Sequence, residues 1–467
     1  MLPKPFAVVA LLAISCGAQA ASDADLAAIR SQIDEMKRTY EQRIAALEQR
    51  LAQAEAETRA RPASPAEVSP PPATGTAPAT VATAAPSSAS AFNPEVSLIL
   101  QGQYANTKDI PNRGITGFWP NQLDNLRGFS INETELLIGG SIDPYWRGQA
   151  VFAVQDNEVG VEEAWIQSLA IGHGVGLKGG RYRSGIGYLN EQHPHAWDFA
   201  NAPLMYIAMF GSAASFTEDG LQLKWLAPTP LFLEFGAEAG RGANYPGTDS
   251  NKNGVGAWSL YAHLGDDLGV SNSWRAGVSY LRTAADDRQA EFTDINGLPA
   301  QASFTGDTGT WLADFVWKWA PDGNPKYRNF KFQTEYFHRQ DNGDLSCSGP
   351  GTACDPLAAG GAVRGSYNTR QSGWYAQGVF QFTPEWRGGL RYDQLDSGVQ
   401  DLGANTPNLV VKDYRPQRAT GMVDYSWSEF SRLRLQFAQD KSMSGITDNQ
   451  WIVQYIMSLG AHGAHKF

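Results

Sequence analysis

Short runs in which polar and apolar residues alternate recur from Phe92 almost to the end of the chain. Val96, Leu98, Leu100, Gly102 and Tyr104 share one parity, and Ser97, Gln101 and Gln103 the other, with Ile99 the exception. The pattern returns at Trp258, Leu260, Ala262 and Leu264, and at Trp311, Ala313, Phe315, Trp317 and Trp319. It appears again at Leu433, Leu435 and Phe437, with Arg432, Arg434 and Gln436 between them, and at Trp451, Val453, Tyr455, Met457 and Leu459. A period of two residues is that of a β-strand with two unlike faces. Turn residues at Asp143-Pro144-Tyr145, Gly172-His173-Gly174, Thr229-Pro230, Pro384-Glu385 and Glu429-Phe430-Ser431 punctuate the runs. Tight turns at one end and long polar loops at the other predict about sixteen strands, an even number.

A soluble β-sandwich also alternates, but two features favour a hollow barrel. The apolar parity is continuous and aromatic, while the opposite parity carries Lys, Arg, Glu and Gln. A packed core would bury those groups at several kcal/mol each, whereas a water-filled lumen solvates them. The predicted fold of residues 93–467 is therefore an all-β transmembrane barrel of about 16 antiparallel strands, with lipid-facing and lumen-facing parities taking turns. Tryptophans and tyrosines near strand ends suit two interfacial girdles. The last residue, Phe467, lies on the lipid-facing parity, as does the terminal signal of assembled outer-membrane barrels.

The N-terminal part has a different grain. Lys4, an apolar run from Phe6 to Ile14 and the small-residue sequence Ala18-Gln19-Ala20 predict a signal peptide over residues 1–20. Cys16 lacks the residues that a lipidation site would place ahead of it. From Leu26 the apolar positions Ile29, Ile33, Met36, Tyr40, Ile44, Leu47, Leu51 and Ala54 follow at steps of three and four, which predicts a coiled coil over residues 21–60. Residues 61–92 are rich in Pro, Ala, Ser and Thr and cannot bury a core, so a semi-extended linker is expected there.

Composition narrows the reading. The mean hydropathy is −0.35 despite 14 Trp, 17 Tyr and 21 Phe. Beyond the signal peptide, no stretch approaches the roughly 20 apolar residues of a membrane-spanning helix. Of 37 bases and 48 acids, 8 and 9 precede Asn93, which leaves 29 against 39 in the barrel portion. A net negative barrel argues against strong anion selectivity and against a nucleic-acid partner. After cleavage two cysteines remain, Cys347 and Cys354, and their proximity points to a disulfide closing an external loop. A metal pair is the alternative.

The stretch Gly180-Arg181-Tyr182-Arg183-Ser184-Gly185-Ile186-Gly187-Tyr188 is a strand end running into a long loop. With the alternation from Phe92 onward, it resembles the phosphate-selective porin family of Gram-negative outer membranes in its broad sense. The resemblance implies a homotrimer of barrels in outer-membrane lipid, often preceded by a periplasmic coiled coil. Phosphate-specific members carry a ladder of arginines with a lysine cluster. No such ladder can be assigned here residue by residue, so the solute stays open.

If Val96 begins the first strand, the third long loop runs from about Ser184 to Glu218. In porins of this size the third loop folds into the lumen, and Trp197, Phe199, Leu204, Met205, Tyr206, Ile207, Met209 and Phe210 would be awkward on a wet exterior. Packing on a neighbouring subunit is the other reading. Arg181 and Arg183 are expected to face Glu191, Asp198 or Asp219 near the constriction. Glu133 and Glu135 on early strands, with Arg432 and Arg434 on late ones, are expected to line the pore. His193 and His195, flanked by Glu191 and Asp198, form a ligand-like cluster of the kind that holds Zn or Cu. No Ser/His/Asp signature, phosphate-cradling glycine loop or zinc-protease spacing is present. The expectation is a non-enzymatic porin without cofactor that passes small hydrophilic solutes or ions. A metal-binding outer-membrane receptor or a structural periplasmic tether are the alternatives.

Overall fold

A computed structural model describes residues 94–460, apart from 120–122, 124–126, 132, 156–157, 249–252 and 356–361. The predicted signal peptide, coiled coil and linker, with Cys16, and at the other end His462, His465 and Phe467, lie outside the described residues.

Sixteen antiparallel strands close into one barrel. They are β1 (Glu95–Asn106), β2 in two pieces (Gly128–Ser130 and Thr134–Ser141), β3 (Trp146–Gln155), β4 (Glu158–Ser168), β5 (Val175–Arg183), β6 (Thr217–Leu226), β7 (Phe232–Gly240) and β8 (Ala257–Leu268). There follow β9 (Asn272–Thr293), β10 (Pro299–Trp319), β11 (Asn329–Ser348), β12 (Val363–Gln381), β13 (Trp386–Asp401), β14 (Gln417–Ser428), β15 (Ser431–Lys441) and β16 (Asp448–Gly460). Both pieces of β2 pair with β1, so they count as one interrupted strand. The barrel closes between β1 and β16, from Ser97 opposite Gly460 to Asn106 opposite Trp451. Closure removes the free strand edges that a bilayer cannot solvate. Among the described residues no helix is long and apolar enough to cross a membrane.

The two parities fall on the two faces as the alternation predicts. On β16, Trp451, Val453, Tyr455, Met457 and Leu459 point outward and are exposed, while Gln450, Ile452, Gln454 and Ile456 are buried on the inside. Outward aromatics form levels at both ends of the apolar band. Trp317 meets Phe330, and Trp386 meets Tyr425, near the tight turns. Tyr280 meets Trp258 and Trp311 further up. Trp311 lies eight residues from the Trp319 end of β10, which at the rise and tilt of barrel strands is about 20 Å. That height suits an outer-membrane hydrocarbon layer. All five predicted tight turns occupy one end, opposite the long loops. Near that loop end Cys347 and Cys354 form a disulfide, with Cα atoms 5.5 Å apart.

Candidate functional site

Between β5 and β6, residues 184–216 leave the wall and fold into the barrel. This is the third long loop. It carries a 3-10 turn at Pro194–Ala196 and a short helix, α1 (Leu204–Phe210), preceded by Pro203. Six of the seven α1 residues are buried. They pack on inward side chains of the tall strands, among them Leu281, Leu312, Phe337, Tyr375 and Leu395. A barrel wall thus offers an apolar patch on its lumen face, and the apolar loop covers it. This is ordinary hydrophobic burial placed inside a barrel.

The remaining loop residues are held by polar groups of the wall. Glu335 on β11 accepts the backbone N–H of Tyr188 (2.9 Å) and Leu189 (3.1 Å) and the hydroxyls of Tyr206 (2.8 Å) and Tyr375 (2.6 Å). Glu238 on β7 accepts the backbone N–H of Gly185 and the Ser184 hydroxyl at the loop entrance. Asn190 ties the two ends of the loop by donating to the carbonyls of Ser184 and Phe216.

The segment 193–201 crosses between two walls of opposite charge. On the basic side, Arg434 donates to the Trp197 carbonyl (3.0 Å), Arg432 to that of His195 (2.7 Å) and Arg391 to that of Asn201 (2.7 Å). Arg418 donates to the carbonyl of Ala202. Asp198 is buried against Lys331 (2.5 Å), Arg387 (3.0 Å) and Gln377 (3.0 Å). Burial raises the Asp198 carboxyl, but Lys331 and Arg387 outweigh it and hold the group below the ordinary aspartate value. On the acidic side, the His193 ring nitrogen Nδ1 lies 3.0 Å from Glu162 and 3.1 Å from Glu135, and Nδ1 of His195 lies 2.8 Å from Glu135. Burial and the nearby Arg183 guanidinium disfavour the His193 imidazolium. Glu135 and Glu162 more than offset them, so the ring holds its proton well above the ordinary histidine value.

Two water-sized spaces lie on either side of this segment. The one toward the long loops is about 630 Å³ and is lined by Glu133, Arg181, Arg183, Trp197, Asn201 and Arg418 among others. The one toward the tight turns is about 1380 Å³ and is lined by His195, Asp198, Lys318, Lys331, Arg387 and Arg432 among others. Each strand contributes at least one buried side chain, from Gln101 on β1 round to Gln454 on β16. Loop residues line both spaces, Trp197 and Asn201 the first and His195 and Asp198 the second.

Several sequence expectations are redrawn by this geometry. Arg181 pairs with Asp219 (2.6 Å), its register neighbour on β6, and not across the pore. Arg183 lies 3.2 Å from Glu162 and 4.0 Å from Glu133. The other acids expected to face these arginines have different partners: Asp198 sits on the basic wall, and Glu191 is 2.8 Å from Lys224. The carboxylates around the two histidines are likewise Glu133, Glu135, Glu162 and Glu163, not Glu191 and Asp198. Arg432 and Arg434 do face inward, yet their hydrogen bonds go to loop carbonyls and to Asp424. The roles of Glu335 and Asp393 went unread, because each acts on loop residues more than 100 positions away.

No protein-family model matches the chain. A protein of Aquifex aeolicus (strain VF5) described as uncharacterized is 30% identical over 416 residues, 82% of each chain. Among solved structures, the trimer form of in-vitro folded OmpT, an outer membrane protein of Vibrio cholerae, is similar at 11% identity over 79% of this chain and 99% of that one, with a TM-score of 0.47. The anion-selective porin from Comamonas acidovorans is similar at 9% identity over 79% and 99%, with a TM-score of 0.46. The outer membrane channel DcaP of Acinetobacter baumannii is similar at 12% identity over 79% and 97%, with a TM-score of 0.47.

Proposed function

We propose that this chain, which belongs to the same family as the uncharacterized Aquifex aeolicus protein, is an outer-membrane porin for small hydrophilic solutes or ions, with passage controlled by its third loop. The observation that carries the reading is the segment 193–201, strung between a basic and an acidic wall with an open space on each side. A barrel serving only as an anchor has no use for a charged lumen. A solute in either vestibule meets opposed charges at the partition, which orient its dipole and bias ion entry. Arg181, Arg183, Glu133 and Arg418 line the outer vestibule, whereas Asp198, Lys331, Arg387 and Arg432 line the inner one. The inner vestibule is the more basic, so a solute entering from that side meets mainly cations. Assembly as a homotrimer belongs to this reading as a further proposal, favoured by the seam predicted over residues 21–60.

The test is single-channel recording in planar bilayers of the full chain and of a variant with residues 194–201 replaced by Gly and Ser. Discrete steps in the wild type, enlarged several-fold in the variant, are expected. If neither protein conducts although both migrate as folded barrels, the reading fails and a structural tether takes its place.

A further inference from the structure

We propose that His193, Glu133, Glu135 and Glu162 form a binding site for a divalent cation of the zinc class, which fastens the third loop to the β2 and β4 wall. One ligand atom from each of these four residues lies within 4.8 Å of all the others. Two come from β2 or the residue just before it, one from β4 and one from the turn that opens Pro194–Ala196. The donors thus arrive from three separate stretches of chain and converge on one point. The Nδ1 separations of 3.0 and 3.1 Å are close to the roughly 3.4 Å edge of a tetrahedron built on metal bonds of about 2.1 Å. Such a site requires these close pairs to open slightly and the wider ones, up to 4.8 Å, to close.

Two further observations point to a cation at this position. Glu133 Oε1 is buried and accepts no hydrogen bond among the described residues, with the Arg183 guanidinium 4.0 Å away and beyond hydrogen-bond reach. The cluster is also rich in carboxyl groups, since Glu133, Glu135, Glu162 and Glu163 stand around Arg183 and His193. A divalent ion that displaces the His193 proton adds one net positive charge beside them. His195 belongs to the second layer: its Nδ1 lies 2.8 Å from Glu135 Oε1, the oxygen that does not face His193, and so fixes the orientation of that carboxylate. An imidazole in the donor set favours zinc, cobalt or nickel over calcium and magnesium, which take oxygen ligands alone. Because His193 stands at the head of the segment that divides the lumen, a bound ion fixes the partition.

The experiment uses the full chain, folded in detergent, and titrates it with Zn²⁺ by calorimetry and with Co²⁺ by its visible ligand-field absorption. Heat-modifiable gel migration reports the fold of each variant. One equivalent of Zn²⁺ per chain is expected. Glu133→Gln, which keeps the shape of the side chain, is expected to weaken binding at least tenfold, and His193→Ala to abolish the cobalt spectrum. His173→Ala, in a tight turn at the opposite end, is expected to leave both unchanged. The proposal is overturned if the wild type takes up no stoichiometric metal, if folded Glu133→Gln binds with unchanged affinity, or if His173→Ala removes the signal. None of these readouts depends on whether the barrel conducts.

Discussion

At the scale of single residues, the lumen is organised by side chains that hold a loop more than by side chains that wait for a solute. Asp198 shows this. Its sequence neighbourhood marks it as an acid of the third loop, and its partners Lys331 and Arg387 come from β11 and β13. No local pattern pairs residues 133 and 189 positions apart, so the pairing was not legible. The same holds for Arg183, whose acids lie on other strands, and for His193, whose carboxylates come from β2 and β4. Residue types were readable and partners were not, because strand register and loop docking decide which side chains meet. Asp198→Asn should leave Lys331 facing the inner vestibule without its counter-charge, while Arg387 keeps Asp424 at 2.6 Å. Breaking such a buried pair costs about 3 kcal/mol of loop docking. The reversal potential in a salt gradient should move toward anions, and a shift toward cations would contradict this account of the inner vestibule.

At the scale of elements, the strands and the third loop were legible and the mode of docking was not. Alternation is local, so each strand announces its two faces, even to the inward Ile99 on β1. The loop announces itself by carrying Leu204 to Phe210 where a wet exterior is expected. What could not be read is that Leu281, Leu312, Phe337 and Leu395 interrupt the polar parity of four strands to make its landing surface. None marks a landing surface within its own strand; strand register brings them together, with Leu312 directly opposite Phe337. Glu335 is the polar anchor of that surface. It accepts four hydrogen bonds, three of them from the loop. Glu335→Gln turns an amide NH₂ toward groups that also donate, which costs roughly 1–3 kcal/mol for each donor left unpaired. The barrel should stay closed while the loop loosens. Limited proteolysis within residues 184–216 should quicken, and channel noise should rise. Unchanged cleavage would place the anchorage in the apolar contacts of α1 alone.

At the scale of the whole molecule, one rule governs the wall: neighbours along a strand belong to different solvents. Arg434 and Leu435 on β15 make the case. Arg434 points inward, is fully buried and is held by Asp424 at 2.8 Å. Leu435 points outward, is half-exposed and stands in register with Val423 and Val453, so its surroundings are apolar on both sides. Four residues separate it from the tight-turn end of β15, about 10 Å of height, which is near the middle of the apolar band. Leu435→Arg therefore repeats the side chain of its neighbour on the face where lipid must solvate it. The expected cost is about 2–4 kcal/mol, read as a lower urea midpoint for unfolding from liposomes. Gln149→Arg adds the same group to the inner face of β3, where Gln149 is only partly buried and lies 3.5 Å from Glu163, and should cost less. Equal losses for the two variants would mean that the outward face of β15 does not meet lipid, and the membrane placement of the barrel would have to be abandoned.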